Sequence, residues 1–320
     1  AARERLRLRF PAEALGLKPA AVPRLPSEER VFIDDPTRPA PGADAFRWFF
    51  YSASPPWTNT RHSLSNVRLA QKDFVIKLRN VYSFFCIYAN IDGFSPAAGN
   101  PDASDTTPEA LGASLGYRPS AERSLLDRWI ASEVALAVRE VADKLEGLLV
   151  YDAAQRLIEL VDALSNWYVR RSRARFWAPT TPETKQDKLD ASFTLYESLV
   201  TITKAIAPFV PFFAEEMYQN LVRRPWPESQ PLSVHLSRYP EPDAAHVDTA
   251  LAEEMAMVRE LVSLGLQVRT EAKQRVRQPL RQADVVVASH DLRERLAVHE
   301  ALILEELNVT KLRWLAPGEE

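Results

Sequence analysis

The sequence predicts a mainly α fold, a helical bundle followed by part of a small α/β (βαβ) domain. Three observations carry that expectation. Apolar residues recur at spacings of three and four through most of the chain, prolines and glycines punctuate those stretches, and only the tail from Ala283 changes to short β-branched runs around a helix. With 320 residues, of which 46% are hydrophobic and 26% charged, the chain can bury a sizeable core as one large domain or two ordinary ones.

Residues 1–41 are rich in proline and lack sustained periodicity; they read as an irregular lead-in in which "RLRLRF" has the character of a short strand. From Ser65 onward, Val67, Ala70, Phe74, Leu78, Val81, Phe85 and Tyr88 share one helical face, and Gly93 in "IDGF" is the terminator. The next segment, "SPAAGNPDASDTTPEALGASLGYRPS", has the composition of a loop or surface insertion. A second helical stripe follows in Leu126, Ile130, Val134, Ala137, Val141, Leu145 and Leu148, and Asp152 is placed as the N-cap of a third, through Leu157, Val161, Leu164 and Tyr168. A fourth runs through Leu189, Phe193, Tyr196, Val200 and Thr203 to "APFVPFF", where Pro208 and Pro211 force a break and a restart.

Beyond a proline-rich link, residues 250–273 form another helix with Leu251, Val258, Leu261, Gly265 and Val268 on one side. In the tail, "ADVVVASH" reads as a buried strand, "DLRERLAVHEALILEEL" as one helix and "NVTKLRWL" as a second strand. Two strands and a helix make a small core, so the chain is expected to end inside the α/β domain.

A net charge of -3 provides no protein-wide field for a polyanion, so any nucleic-acid site must be a local patch. The single cysteine, Cys86, lies in apolar "YSFFCIYAN" and reads as a reduced, buried thiol. No apolar run reaches the ~18 residues of a membrane helix and the basic N-terminus leads into no signal-like core, which together read as a cytoplasmic protein with no membrane partner. No two glycines are spaced G-x-G, which removes the usual phosphate-cradling loops, and scattered histidines with one cysteine make a metal site unexpected. No cofactor is expected in this chain. Glu215 and Glu216 follow Pro211 in a first helical turn, where the helix dipole alone accounts for them.

One stretch departs from the acidic balance: "SNWYVRRSRARFW", residues 165–177, places Trp167 and Trp177 around Arg170, Arg171, Arg173 and Arg175. Continuing the stripe Leu157, Val161, Leu164, Tyr168 by helical steps lands on Arg171 and Arg175, and guanidinium groups do not stay unpaired in a core. Either that face meets something anionic, for which RNA phosphates and unpaired bases are suited, or acidic side chains of a neighbour cover it. Arginines near a helix end also complement its dipole without any partner, and the tryptophans are equally compatible with core. A second cluster, Arg269, Lys273, Arg275, Arg277 and Arg281 around Glu271, lies where the last long helix meets the first strand.

In their order, "GADAFRWFFYSASPPW", "KLRNVYSFFCIYANIDGF", "LDRWI", "LSNWYVRRSRARFW", "TLYESLVTITKAIAPFVPFFAEEMYQNL", "LVSLGLQVRTEAKQRVRQPL" and "ILEELNVTKLRW" resemble the isoleucyl-tRNA synthetases, from about Gly42 to the C-terminus. "APFVPFFAEEMY" alone is similar to the valine, leucine and methionine enzymes as well, whereas "NWYVRRSRARFW" with "VRQPL" points to isoleucine. The resemblance implies a stem-contact region and anticodon-binding helical bundle over 42–282 and the start of a small α/β C-terminal domain over 283–320. It implies isoleucine tRNA as partner, with Trp167, Arg170, Arg171, Arg173, Arg175, Lys273, Arg275 and Arg277 as tRNA-binding residues.

The departures from the family are equally specific. The H-I-G-H and K-M-S-K-S motifs, which in class I synthetases stabilise charge on ATP, are missing: the five histidines form no H-x-G-H pair, and Met217, Met255 and Met257 stand outside any K-M-S context. Where the lysine loop should precede "GADAFRW", the chain reads "EERVFIDDPTRPAP", and the editing insertion is absent. The expected function is therefore the tRNA-binding portion of an isoleucine-tRNA ligase whose ATP, magnesium and catalytic residues lie outside this chain, with a separate catalytic chain as partner if the gene is split. The rival expectation is a stand-alone helical module, descended from a synthetase, that binds a protein partner with its arginines closed in acidic pairs.

Overall fold

Helices make up most of the described residues, some capped by serine or aspartate side chains and two of them ending at glycine. The computed structural model describes residues 40–59, 62–96, 116–227, 229–241 and 244–318. The lead-in, its "RLRLRF" strand and most of the insertion-like loop lie outside the described residues.

Helix α1, Ala43–Ser52, precedes a long rod made of α2, Leu64–Gln71, a π-helical turn, Lys72–Ile76, and α3, Lys77–Asp92. Ser63 caps the rod by accepting from the Asn66 N–H, and Gly93, at φ 63°, ends it in the left-handed region. Helix α4 is Leu125–Glu146; α5, Val150–Asp162, continues through a π-helical segment, Ala163–Val169, into α6, Arg170–Trp177. Asp152 is not the N-cap of α5. Leu149 holds that position without a side-chain bond, and Asp152 lies in the first turn, where its charge still suits the helix dipole.

Helix α7, Lys185–Ile206, is buried on nearly every side, so the one-sided stripe expected for it understates its role as the central helix. Pro211 opens α8, Pro211–Tyr218, at its first position. The α7–α8 break is held by α1: Asp44 accepts from the orphan N–H groups of Phe212 and Phe213, and Arg47 donates to the carbonyls of Pro208 and Phe209. Trp48 stacks on Phe74 at 3.7 Å between centroids, tying α1 to the rod as well.

Helix α9, Thr249–Glu271, packs on α4, where Ser132 and Asp248 exchange hydrogen bonds at the helix start. The tail then forms β1, Ala283–Val286, α10, His290–Ala297, α11, Glu300–Leu307, and β2, Leu312–Leu315. The two strands pair in parallel, Ala283 opposite Leu312 and Val286 opposite Leu315. The single helix expected here is broken at Val298–His299, and β1 alternates half-buried and exposed residues rather than being buried throughout, because the described sheet has only one partner strand and one covered face. Gly265 admits α11: a Cβ there would lie 2.5 Å from a methyl carbon of Leu307. Cys86 is half-buried rather than enclosed; burial raises its pKa, and it accepts a long hydrogen bond from Asn220.

Candidate nucleic-acid interface

The π-helical segment decides where the α6 arginines point. Seven residues, Ala163–Val169, follow the wider π spacing, which advances the buried face by one position relative to an uninterrupted α-helix. The interior line therefore continues from Tyr168 to Ser172 and Phe176, not to Arg171 and Arg175. Those two arginines flank the buried line, with only 13% and 15% of their side chains exposed. Of the outcomes left open by the sequence, cover by acidic neighbours is the one the fold realises for both.

Arg175 is clamped between two helices. Its Nη1 and Nη2 donate to the two oxygens of Asp127 on α4 at 2.8 and 2.7 Å, and its Nε donates to Asp187 on α7 at 3.0 Å. Asp127 is fully buried and also accepts from the hydroxyls of Tyr168, at 2.7 Å, and Ser124, at 2.8 Å. Burial works to raise the pKa of Asp127, but the Arg175 hydrogen bonds and charge, with both hydroxyls, outweigh it and hold the carboxyl below its ordinary value. Burial and the adjacent carboxylate push the Tyr168 phenol well above its ordinary range, so it stays a neutral donor. This is a closed, satisfied network inside the bundle.

Arg170 and Arg171 reach the tail instead. Arg171 donates to Glu306 at 2.5 Å and to Glu305 at 2.6 Å, and Arg170 pairs with Glu306 while keeping 47% of its side chain exposed. Among the four arginines, Arg173 is exposed and forms no ion pair with a described residue. Trp167 is core at 8% exposure, whereas Trp177 stands 59% exposed at the end of α6.

The second cluster has the opposite character. Arg269, the last buried residue of α9, donates to the carbonyls of Arg275, Gln278 and Asn308, all between 3.0 and 3.1 Å. Its guanidinium is the framework of the loop that follows. Lys273 turns the chain at φ 56°, and Asn308 closes the loop by donating to the Val276 carbonyl at 2.9 Å. Residues 271–279 are all exposed, and Lys273, Arg275 and Arg277 form no ion pair with a described residue. The flanking acids are engaged elsewhere: Glu271 accepts from Gln267, and Asp284 pairs with Arg313. Arg281 is exposed too.

One short element links the two clusters. The end of α11 offers Glu305 and Glu306 to Arg170 and Arg171, and two residues later Asn308 binds both Arg269 and the loop. Sequence reasoning found the cations and missed what holds them: Asp127, Glu305 and Glu306, together with the framework role of Arg269. The acids carry no local signal, since each lies more than 40 positions from its arginine. The closest thing to a signal is the doublet Glu305–Glu306 directly after the apolar run Ala301–Leu304.

Comparison with known proteins places these features. Residues 127–286 match the family described as the anticodon-binding domain of tRNA ligase. The chain is 42% identical to the isoleucine--tRNA ligase of Dehalococcoides mccartyi over 277 residues, which are 87% of this chain and 25% of that protein. It is 39% identical to the enzyme of Clostridium novyi over 273 residues, 85% of this chain and 24% of that protein. Against that of Thermus thermophilus it is 38% identical over 280 residues, 87% and 25% of the two chains. The chain thus spans about a quarter of the length of these relatives. With half of its residues matching the family and the bundle that carries them described above, the chain belongs to the anticodon-binding domain family of tRNA ligases, and its similarity is to the isoleucine--tRNA ligases.

Proposed function

We propose that this chain is the tRNA-binding portion of an isoleucine-tRNA ligase and holds isoleucine tRNA for aminoacylation carried out by a catalytic unit outside the chain. The observation that carries the reading is the acid-free loop of residues 272–282, whose Lys273, Arg275 and Arg277 are exposed and without an ion pair among the described residues, around a buried Arg269. Cations held open in an acidic protein favour a polyanion, and phosphates accept from lysine and arginine without requiring a deep pocket. Arg173 and the exposed part of Arg170 extend the surface onto α6, while Arg171, Arg175 and Trp167 serve it by shaping the bundle. No ATP or magnesium is bound by this chain in the proposal, and its setting is the cytoplasm, where translation takes place.

The rival reading, a helical module binding a protein partner, draws support from the acid pairs of Arg171 and Arg175. The loop favours RNA over it, because no described residue forms an ion pair with those cations. Binding of isoleucine tRNA and of a non-cognate tRNA to the purified chain, measured over a range of salt, tests the proposal. Tighter binding of the isoleucine tRNA with a steep loss of affinity on adding salt is expected; equal, salt-insensitive binding of both would overturn it. Isoleucine-dependent ATP–pyrophosphate exchange by the chain alone is expected to be absent, and its presence would overturn the division of labour.

A further inference from the structure

The outward face of α6 carries Arg170, Arg173, Ala174 and Trp177 at helical positions i, i+3, i+4 and i+7. The end of this helix is rigidly held. Phe176 is buried edge-on against Phe84 at 5.1 Å, Arg175 is locked on Asp127, and Lys188 fixes the helix exit by donating to the Ala178 carbonyl at 3.0 Å and to Asp92 at 2.7 Å. A large indole, 59% exposed, thus stands on a fixed support, with Arg173 and the small Ala174 one turn below it on the same face. Arg173, one turn back, forms no ion pair with a described residue, and Asp187, on the neighbouring α7, is taken up by Arg175.

We infer that Trp177 is a stacking platform for an unpaired RNA base, with Arg173 neutralising an adjacent phosphate. The inference rests on the tRNA-binding reading and names the nucleotide state that this part of the surface takes. An indole has no way into a paired A-form helix, whose bases are already stacked, whereas a loop or splayed base presents its face. Arg173, which forms no ion pair with a described residue, and the half-exposed guanidinium of Arg170 give this face positive charge beside the indole, which suits an anionic strand better than an apolar protein surface.

The test uses the full chain with isoleucine tRNA, a single-stranded oligoribonucleotide and a duplex of the same length, followed by fluorescence anisotropy of labelled RNA. Trp177→Ala is expected to weaken binding of tRNA and of the single strand by about 5-fold to about 100-fold, to leave duplex binding and the salt slope unchanged, and to be largely rescued by Trp177→Tyr. Arg173→Gln is expected to reduce the salt slope by about one unit. Wild-type tRNA affinity in Trp177→Ala, or equal loss on duplex and single strand, overturns the stacking role while leaving the tRNA-binding reading to the loop cations. A wild-type chain that binds no tRNA overturns that reading, and the stacking role with it.

Discussion

The arginines of α6 and those of the loop after α9 are alike in composition and unlike in what the fold does with them. Arg171 and Arg175 are largely enclosed and ion-paired with Asp127, Asp187, Glu305 and Glu306, so their charge is spent in joining helices distant in sequence. Arg275 and Arg277 are exposed and unspent, because the buried guanidinium of Arg269 organises their loop through backbone carbonyls alone and leaves no carboxylate among them. What separates a structural arginine from an available one is therefore the arrival of acids from elsewhere in the chain. Density of basic residues in the sequence does not report it.

The sharpest way to break this contrast is to remove one clamp. Arg175→Gln leaves Asp127 buried with only two hydroxyl donors, and uncompensated buried charges cost about 3–5 kcal/mol. A loss of thermal stability on the order of 10 °C is expected by calorimetry, with the salt dependence of RNA binding unchanged. An unchanged melting temperature with a flattened slope would move Arg175 to the RNA-contacting group. The pH dependence supplies an independent check. The folded pKa of Asp127 lies below its ordinary value of 3.8, so the pair's contribution is present above that value and is lost as pH falls through the folded pKa. In Arg175→Gln, burial is left to dominate and raises the Asp127 pKa, a contribution that is present at low pH and lost as pH rises. The stability gap between wild type and variant should then narrow on going from pH 7 toward pH ~4, and a gap that widens would contradict the assignment.

On the open side, Lys273→Gln, Arg275→Gln and Arg277→Gln combined should leave the melting temperature nearly unchanged, since exposed substitutions away from special features fall within about 0.5 kcal/mol. The same triple change should flatten the plot of log affinity against log salt by roughly two units, at about 0.7–0.9 per lost phosphate contact. A third change tests whether enclosure alone makes the difference. Glu305→Gln with Glu306→Gln releases Arg170 and Arg171, and the salt slope should steepen by about one unit if freed guanidiniums take up phosphate. No change in slope would mean that these arginines are out of reach of the RNA whatever their partners.

Much of the bundle was legible because helix faces and their stops are local properties. The apolar spacing, Gly93 at the end of α3 and Pro211 at the start of α8 all act within a turn or two of themselves. The tail was legible in type but not in detail: β-branched content marks β1 as a strand, yet how many of its faces are covered depends on partners, and nothing within "AVHEAL" announces that α10 and α11 separate there. At the candidate interface the cations were visible and their state was not. A π-helical turn has no plain sequence signature, so extrapolating the Leu157–Tyr168 stripe at α-helical spacing put Arg171 and Arg175 one position out of phase. The carboxylates that meet them come from helices 12 to 135 positions away.

That one-position phase shift can itself be tested by a small effect. If the π segment turns the buried line onto Ser172, the hydroxyl there is fully enclosed, and it has no hydrogen-bond partner among the described residues. A buried hydroxyl left unpaired costs on the order of 1–3 kcal/mol, and alanine removes it while being the better helix former and leaving a void of about one oxygen atom. Ser172→Ala should therefore raise stability by roughly 0.5–1 kcal/mol, a gain of a few degrees in calorimetry, and leave RNA affinity and its salt slope alone. Were the uninterrupted α-helical phase correct, Ser172 would sit at the edge of the Leu157–Tyr168 stripe rather than on its line, the hydroxyl would reach water, and the substitution would register only its slight gain in helix propensity. A loss of stability would show that the hydroxyl bonds back to the Tyr168 carbonyl one turn earlier, a local bond compatible with burial but not with the unpaired state that makes this position distinct from the paired arginines on either side.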